Sequence, residues 1–330
     1  MKKPFNQASY LAQVRRLRVL ALKVLKRYPI KVKSVTFINH AENTTFRITA
    51  ANRKKFLLRI HRSHYHTKPA ILEELMWLQR LARKGLGVPR PIASLNGHFV
   101  ETMAQADLQG ERNCSLLSWT DGKFVTKSVQ PAHLYEAGKL IADLQNQTPK
   151  TKTQHRRYWT ADGLVGSQPK FGSIDRLSGV TPKEQKRITA ARKNILRKLK
   201  FFEKKYPHRM GLIHADLHFR NIVMTADGPA AIDFDDCGYG FLVYDLAIPY
   251  ISAQYLITDK KKHLLPEYRK ALIAGYKTKR AWDKEDNKLL DALIVARKLL
   301  MLGWLNSRTD NPHIRKYLKT AVKRALAEIG

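Results

Sequence analysis

The segment Leu212-Ile213-His214-Ala215-Asp216-Leu217-His218-Phe219-Arg220-Asn221, followed by Ala231-Ile232-Asp233-Phe234-Asp235-Asp236, constrains this chain more than any other stretch. His, Asp and Asn stand at the spacing H-x-D-x-x-x-x-N, and a second acidic centre begins twelve residues after the Asn. Each centre follows a short apolar run of the kind that makes a buried strand. The turn signal Ala226-Asp227-Gly228-Pro229 between Ile222-Val223-Met224 and Ala230-Ala231-Ile232 predicts a reversal that returns Asp233 towards Asn221. Phosphoryl transfer asks a protein for a carboxylate that accepts or orients the proton of an acceptor hydroxyl. It also asks for oxygen ligands that hold Mg²⁺ against nucleotide phosphates. Asp216 suits the first task, and Asn221 with Asp233 the second. Any one of these residues alone is an ordinary turn residue; the ordered set is what carries the chemistry.

The segment resembles the phosphate-transfer motif of the aminoglycoside phosphotransferase, choline kinase and type II homoserine kinase superfamily, whose members have a protein-kinase-like fold. The resemblance extends over most of residues 16 to 305. Asn39 to Ile48 is similar to the family's first hairpin, Phe56 to Arg62 to its third strand, and Ile71 to Leu78 to the helix after it. Leu116 to Gly122 is similar to the interlobe hinge, and Tyr244-Asp245-Leu246-Ala247 to the anchor after the metal loop. The implied fold is α+β and bilobal, with a small antiparallel-sheet N-lobe over residues 1–118. A larger, mainly helical C-lobe over residues 119–330 would carry the catalytic and metal loops and the acceptor site.

The resemblance also assigns N-lobe roles. ATP phosphates in this fold need a cation that a helix carboxylate orients. Arg59 lies where the family expects a lysine, and its planar fork also suits phosphate oxygens. Glu74 on the following helix is its expected brace, with Glu73 as the neighbouring alternative. Ser118, Trp119 and Thr120 are expected to present backbone groups to the adenine edge. The first hairpin departs from a phosphate-cradling loop, because Asn39 to Asn43 contains no glycine. His214 is expected to brace the catalytic loop through the backbone, and Asp245 to play a similar part. Asp235 and Asp236 fit a metal role, a substrate role or a solvated loop equally well.

Composition sets bounds. With 330 residues, 44% of them apolar and five Trp, the chain is long enough for two cores. Cys114 and Cys237 offer no disulfide framework, and no uninterrupted run of 18 apolar residues exists, so a cytoplasmic protein with reduced thiols is expected. Residues 1 to 33 carry ten Lys or Arg and no acid. A structural helix on the N-lobe is preferred there over a transit or membrane-surface segment. Strands are expected at 35–38, 45–49, 55–60 and about 98–102, and helices at 68–84, 133–147, 182–206 and within 264–328.

The formal net charge of +34 disfavours a polycationic antibiotic as acceptor and favours a hydroxyl metabolite of homoserine or choline size, or protein Ser/Thr. Eleven Lys or Arg between residues 183 and 209 keep a second reading open. That reading is a catalytically weak kinase-fold protein that binds nucleic acid or an anionic membrane through its basic surface.

Overall fold

The structure, a computed structural model, describes residues 3–127, 129–148 and 153–329. The chain forms two compact units, Met1–Gly122 with Thr225–Ile232, and Lys123–Met224 with Asp233–Gly330.

In the first unit, α1 (Tyr10–Leu25) starts at Ser9, whose side chain accepts the Ala12 N–H. Leu17, Leu20, Ala21, Val24 and Leu25 recur at helical spacing and are buried. They pack with Val35, Phe46, Ile48, Leu58, Ile60 and Leu116 into one core, so the basic N-terminal segment is a structural helix of this unit. The sheet comprises β1 (Val32–His40), β2 (Asn43–Ala50) and β3 (Lys55–His61). After α2 (Lys68–Arg83) come β4 (Pro91–Ile92), β5 (Glu101–Ala104) and β6 (Glu111–Ser118). The order is β1-β2-β3-β6-β4, with β5 also on β6, and every pair is antiparallel. The strand expected near 98–102 begins at Glu101, because Gly97, at φ +80°, turns the chain first. Helix α2 ends as its glycine foretells. Gly85 takes φ +77°, its N–H reaches the Ala82 carbonyl, and the Leu86 N–H reaches Leu81.

The second unit begins with β7 (Lys123–Phe124), α3 (Pro131–Asn146), β8 (Arg157–Trp159), α4 (Ala161–Val165) and α5 (Pro182–Lys205). It continues with β9 (Met210–Ile213) and β10 (Ile222–Thr225). The chain then re-enters the first unit for β11 (Gly228–Ala231), whose Ala231 N–H donates to the Gly87 carbonyl. It returns for β12 (Gly238–Phe241), α6 (Tyr244–Leu256), α7 (Leu265–Lys277), α8 (Lys284–Asn306) and α9 (Pro312–Ile329). The predicted turn occurs at Ala226-Asp227, closed by the Thr225 hydroxyl, which donates to the Gly228 carbonyl and accepts the Asp227 N–H.

Helices α3 and α7 touch backbone to backbone. A Cβ on Gly138 would stand 2.1 Å from the Leu272 carbonyl oxygen, and one on Gly275 would stand 1.9 Å from that of Tyr135. Only glycine permits this approach.

One small sheet positions the chemistry: β12 lies between β8, which it parallels, and β9, which it opposes. Gly238 stands opposite both Ile213 and Arg157. The loop leaving β9 and the turn entering β12 therefore emerge at the same end.

Candidate active site

The loop after β9 is built around Asp216. Asp245, at the start of α6 and 1% exposed, accepts the backbone N–H groups of His214 at 2.9 Å and Ala215 at 2.7 Å. Those two bonds hold Ala215 at φ +66°, an unusual conformation for a residue with a Cβ. The His214 ring is fully buried, packs on Phe234 at 4.4 Å and accepts the Asp216 N–H through Nδ1 at 3.3 Å. Both bracing expectations are therefore met by hydrogen bonds. Burial pushes the Asp245 carboxyl up to about 6, against the two N–H groups that favour its charged form.

Asn221 closes the loop. Its side-chain Nδ2 donates to the Asp216 carbonyl at 2.9 Å and lies 3.4 Å from Asp216 Oδ2, while its own N–H bonds the His218 carbonyl at 2.7 Å. Because Nδ2 is turned inward, Oδ1 is the oxygen left to serve as a ligand.

The turn before β12 is held from a distance. Asp233 adopts φ +62° and leads a short 3-10 turn, Phe234–Asp236. The buried Arg156 guanidinium donates to the carbonyls of Cys237 at 2.9 Å, Phe234 at 3.3 Å and Asp235. Trp159 Nε1 donates to the Asp236 carbonyl at 2.8 Å, and Arg157 pairs with the Asp236 carboxylate at 2.9 Å. The register of β8 beside β12 makes this clamp available. Asp236 is thus an ion-paired structural group; burial pushes its carboxyl up to about 7, opposed by Arg157 and reinforced by Asp216 and Asp235. Asp235 is buried, and the Asp236 side chain is 15% exposed. Neither is a solvated loop residue.

Arg297, a residue that sequence reasoning missed, contacts Asp216 directly. From α8 its Nη2 donates to Asp216 Oδ1 at 2.5 Å, and Nη1 lies 3.2 Å from the Tyr244 hydroxyl and 3.4 Å from the Ala215 carbonyl. A signal existed: between Leu289 and Leu305 the helix is apolar apart from Asp291, Arg297, Lys298 and Gly303. A cation on a buried helix needs a partner.

The first unit carries its own set. Arg59 on β3 and Glu74 on α2 are 2% and 1% exposed and paired at 2.6 Å. Glu74 is therefore a brace that meets Arg59. Ser118 and Trp119 spend their N–H groups locally, on the carbonyls of Arg90 at 2.8 Å and Lys55 at 3.3 Å. At the glycine-free hairpin, His40 Nδ1 lies 2.6 Å from Thr44 Oγ1, Nε2 lies 3.0 Å from Gln13 Oε1, and the Ala41 N–H bonds the Asn43 carbonyl at 3.0 Å. Its tip needs no positive φ.

Among the described residues no three His, Cys, Asp or Glu side chains form a metal cage. No helix among the described residues is long and apolar enough to cross a membrane.

Several known proteins are similar to this chain along most of its length. An amicoumacin kinase from Bacillus subtilis (strain 168) is 24% identical over 318 residues, covering 94% of this chain and 88% of that one. Among solved structures, a microcompartment-associated aminopropanol kinase matches at TM-score 0.79 and 26% identity, over 94% of this chain and 95% of that one. An amicoumacin kinase in complex with AMP-PNP and Ca²⁺ matches at TM-score 0.80 and 21% identity, over 97% and 96%. The fold is that of the kinase-like phosphotransferases, with a mainly antiparallel N-terminal sheet and a helical remainder. Residues 34–286 match the phosphotransferase enzyme family, and the chain belongs to that family of kinases.

Proposed function

We propose that the chain transfers the γ-phosphoryl group of ATP, with Mg²⁺, to a hydroxyl of a small molecule. The observation that carries this reading is the loop in which Asp216 is held by Arg297 at one oxygen and flanked by Asn221 at the other. Asp216 orients the acceptor hydroxyl and takes its proton as the oxygen attacks phosphorus. Asn221 Oδ1 and the Asp233 carboxylate would hold the metal, which neutralises charge on the β- and γ-phosphate oxygens. Arg59, braced by Glu74, holds nucleotide phosphates, and the Ser118–Thr120 backbone meets the adenine edge. ATP is supported by the AMP-PNP complex of the similar amicoumacin kinase.

A small acceptor is preferred to protein Ser/Thr because the similar kinases are named for amicoumacin and aminopropanol. The net charge disfavours a polycation, and Asp233, Asp235 and Asp236 lie in the turn beside the loop that carries Asp216, so a singly charged, zwitterionic or neutral alcohol fits best. The basic surface needs no polyanion to explain it. Helix α5 buries Ile188, Ile195, Leu199 and Phe202 and exposes Lys186, Lys193, Arg197 and Lys204, the pattern of a solvated amphipathic helix.

The test is thermal stability with ATP, with and without Mg²⁺, followed by γ-labelled ATP transfer to a panel of amino alcohols, aminoglycosides and a generic protein substrate. Mg²⁺-dependent stabilisation and a labelled small molecule are expected. No nucleotide effect, with salt-sensitive retention on an anionic polymer, would favour the binding-protein reading.

A further inference from the structure

We propose that Arg297 is the positioning residue of the phosphotransfer: it fixes the Asp216 carboxylate so that Oδ2 alone faces the acceptor hydroxyl. The inference rests on the role given to Asp216 above.

The carboxylate is divided between two environments. Oδ1 is bound by Arg297 Nη2 at 2.5 Å, with the Arg297 side chain only 8% exposed. Oδ2 has looser neighbours, Asn221 Nδ2 at 3.4 Å and His218 Nε2 at 3.5 Å, and the Asp216 side chain is 23% exposed. The oxygen paired with Arg297 already has a close cationic donor, and the other, with longer contacts, is the one left to accept a proton.

Arg297 is itself held on several sides. Nη1 lies within hydrogen-bond distance of the Tyr244 hydroxyl on α6 and the Ala215 carbonyl, and its guanidinium carbon lies 5.8 Å from the Phe171 ring centroid. Tyr244 is in turn stacked on Trp159, the residue that holds the Asp236 carbonyl. Through the Ala215 carbonyl Arg297 also grips the loop residue at φ +66°, whose N–H is held by Asp245. One guanidinium therefore fixes both the backbone before Asp216 and one oxygen of its side chain. A fork is required for this, because a lysine ammonium supplies charge from a single atom.

This placement suits the reaction. In a loose transition state the acceptor hydroxyl gives up its proton late, so orientation of the carboxylate matters more than strong basicity.

The experiment is a double-mutant cycle on labelled phosphoryl transfer from Mg-ATP, using the small molecule that the screen labels most and, in parallel, water. Arg297→Gln is expected to lower kcat by about 100-fold while KM for ATP stays within about threefold. Arg297→Lys is expected to recover about a tenth of the wild-type rate. In an Asp216→Asn background, Arg297→Gln is expected to change kcat by less than about threefold, since the group through which it acts is gone.

Equal losses from Arg297→Gln in both backgrounds would overturn the proposal, as would a wild-type kcat in that variant. Full rescue by Arg297→Lys would overturn the requirement for a fork. Should Arg297→Gln fail to fold, the Arg297→Lys kcat and KM, in both Asp216 backgrounds, decide the matter. A wild-type rate in Asp216→Asn alone would instead remove the role of Asp216, so the two failures are distinguishable.

Discussion

Removing Arg59 without Glu74 is expected to cost the first unit more than removing both. The two side chains are 3% and 0% exposed and meet at 2.6 Å. At an effective dielectric of about 20, charges about 4 Å apart attract by about 4 kcal/mol. Taking each ion out of water costs several kcal/mol, so the pair roughly breaks even against apolar residues of similar size. A single Arg59→Met or Glu74→Leu change removes one half of this buried pair and leaves the other charge without its 2.6 Å partner, at a cost of about 3–5 kcal/mol. The double variant is expected to lose clearly less than the sum of the two single losses. Amide hydrogen exchange of β3 and α2 is the assay, because those amides report on this unit alone. All three variants are expected to lose stabilisation by Mg-ATP, the double variant included, since the ion pair's stability and the phosphate contact proposed for Arg59 are separate consequences of the same residue. If the double variant loses the sum of the two single losses, the pair is not a coupled buried ion pair and the reasoning fails.

Two further outcomes follow from the braces. Asp245→Ala orphans two buried N–H groups, whereas Asp245→Asn keeps one acceptor oxygen, so Ala is expected to be the less stable by about 2–3 kcal/mol in urea unfolding; equal stabilities would contradict the brace. The N-cap of α8 supplies the pH test. Asp283 accepts the N–H groups of Glu285 and Asp286, and the Arg209 fork beside it holds its carboxyl well below the ordinary 3.8. A depressed folded pKa stabilises above the unfolded value and is lost as pH falls through the folded one. Asp283→Ala is therefore expected to cost about 1 kcal/mol near neutrality, with the gap from wild type narrowing steadily below about pH 4 in acid titrations followed by circular dichroism.

The legible parts of this chain are those in which local chemistry and local structure coincide. The H-x-D-x-x-x-x-N spacing announces a loop whose own backbone bonds shape it, and Gly85 announces its helix end. Arg59 and Glu74 are read from adjacent elements, although only packing separates Glu74 from Glu73. Helix α6 was not legible, because Tyr244 to Ile251 is buried on every side and an apolar helix without a wet face shows no period. The clamp on the Asp233 turn was hidden for another reason. Arg156 and Trp159 lie some eighty residues upstream, and only the parallel pairing of β8 with β12 brings them there. Arg297 lies 81 residues beyond Asp216, within a helix that reads as core. Its charge among leucines was the clue, and a buried cation is a question about partners that spacing cannot answer.

The central claim is that Asp216 serves phosphoryl transfer while nucleotide is held elsewhere. The direct measurement is the rate of label transfer from γ-labelled Mg-ATP to the small-molecule acceptor by wild type and Asp216→Asn, with nucleotide affinity measured by calorimetry on both. The account predicts a rate at least about 100-fold lower in the variant and an affinity within a few-fold of wild type. An unchanged rate in the variant, or no transfer by the wild type despite Mg-ATP binding, would contradict it.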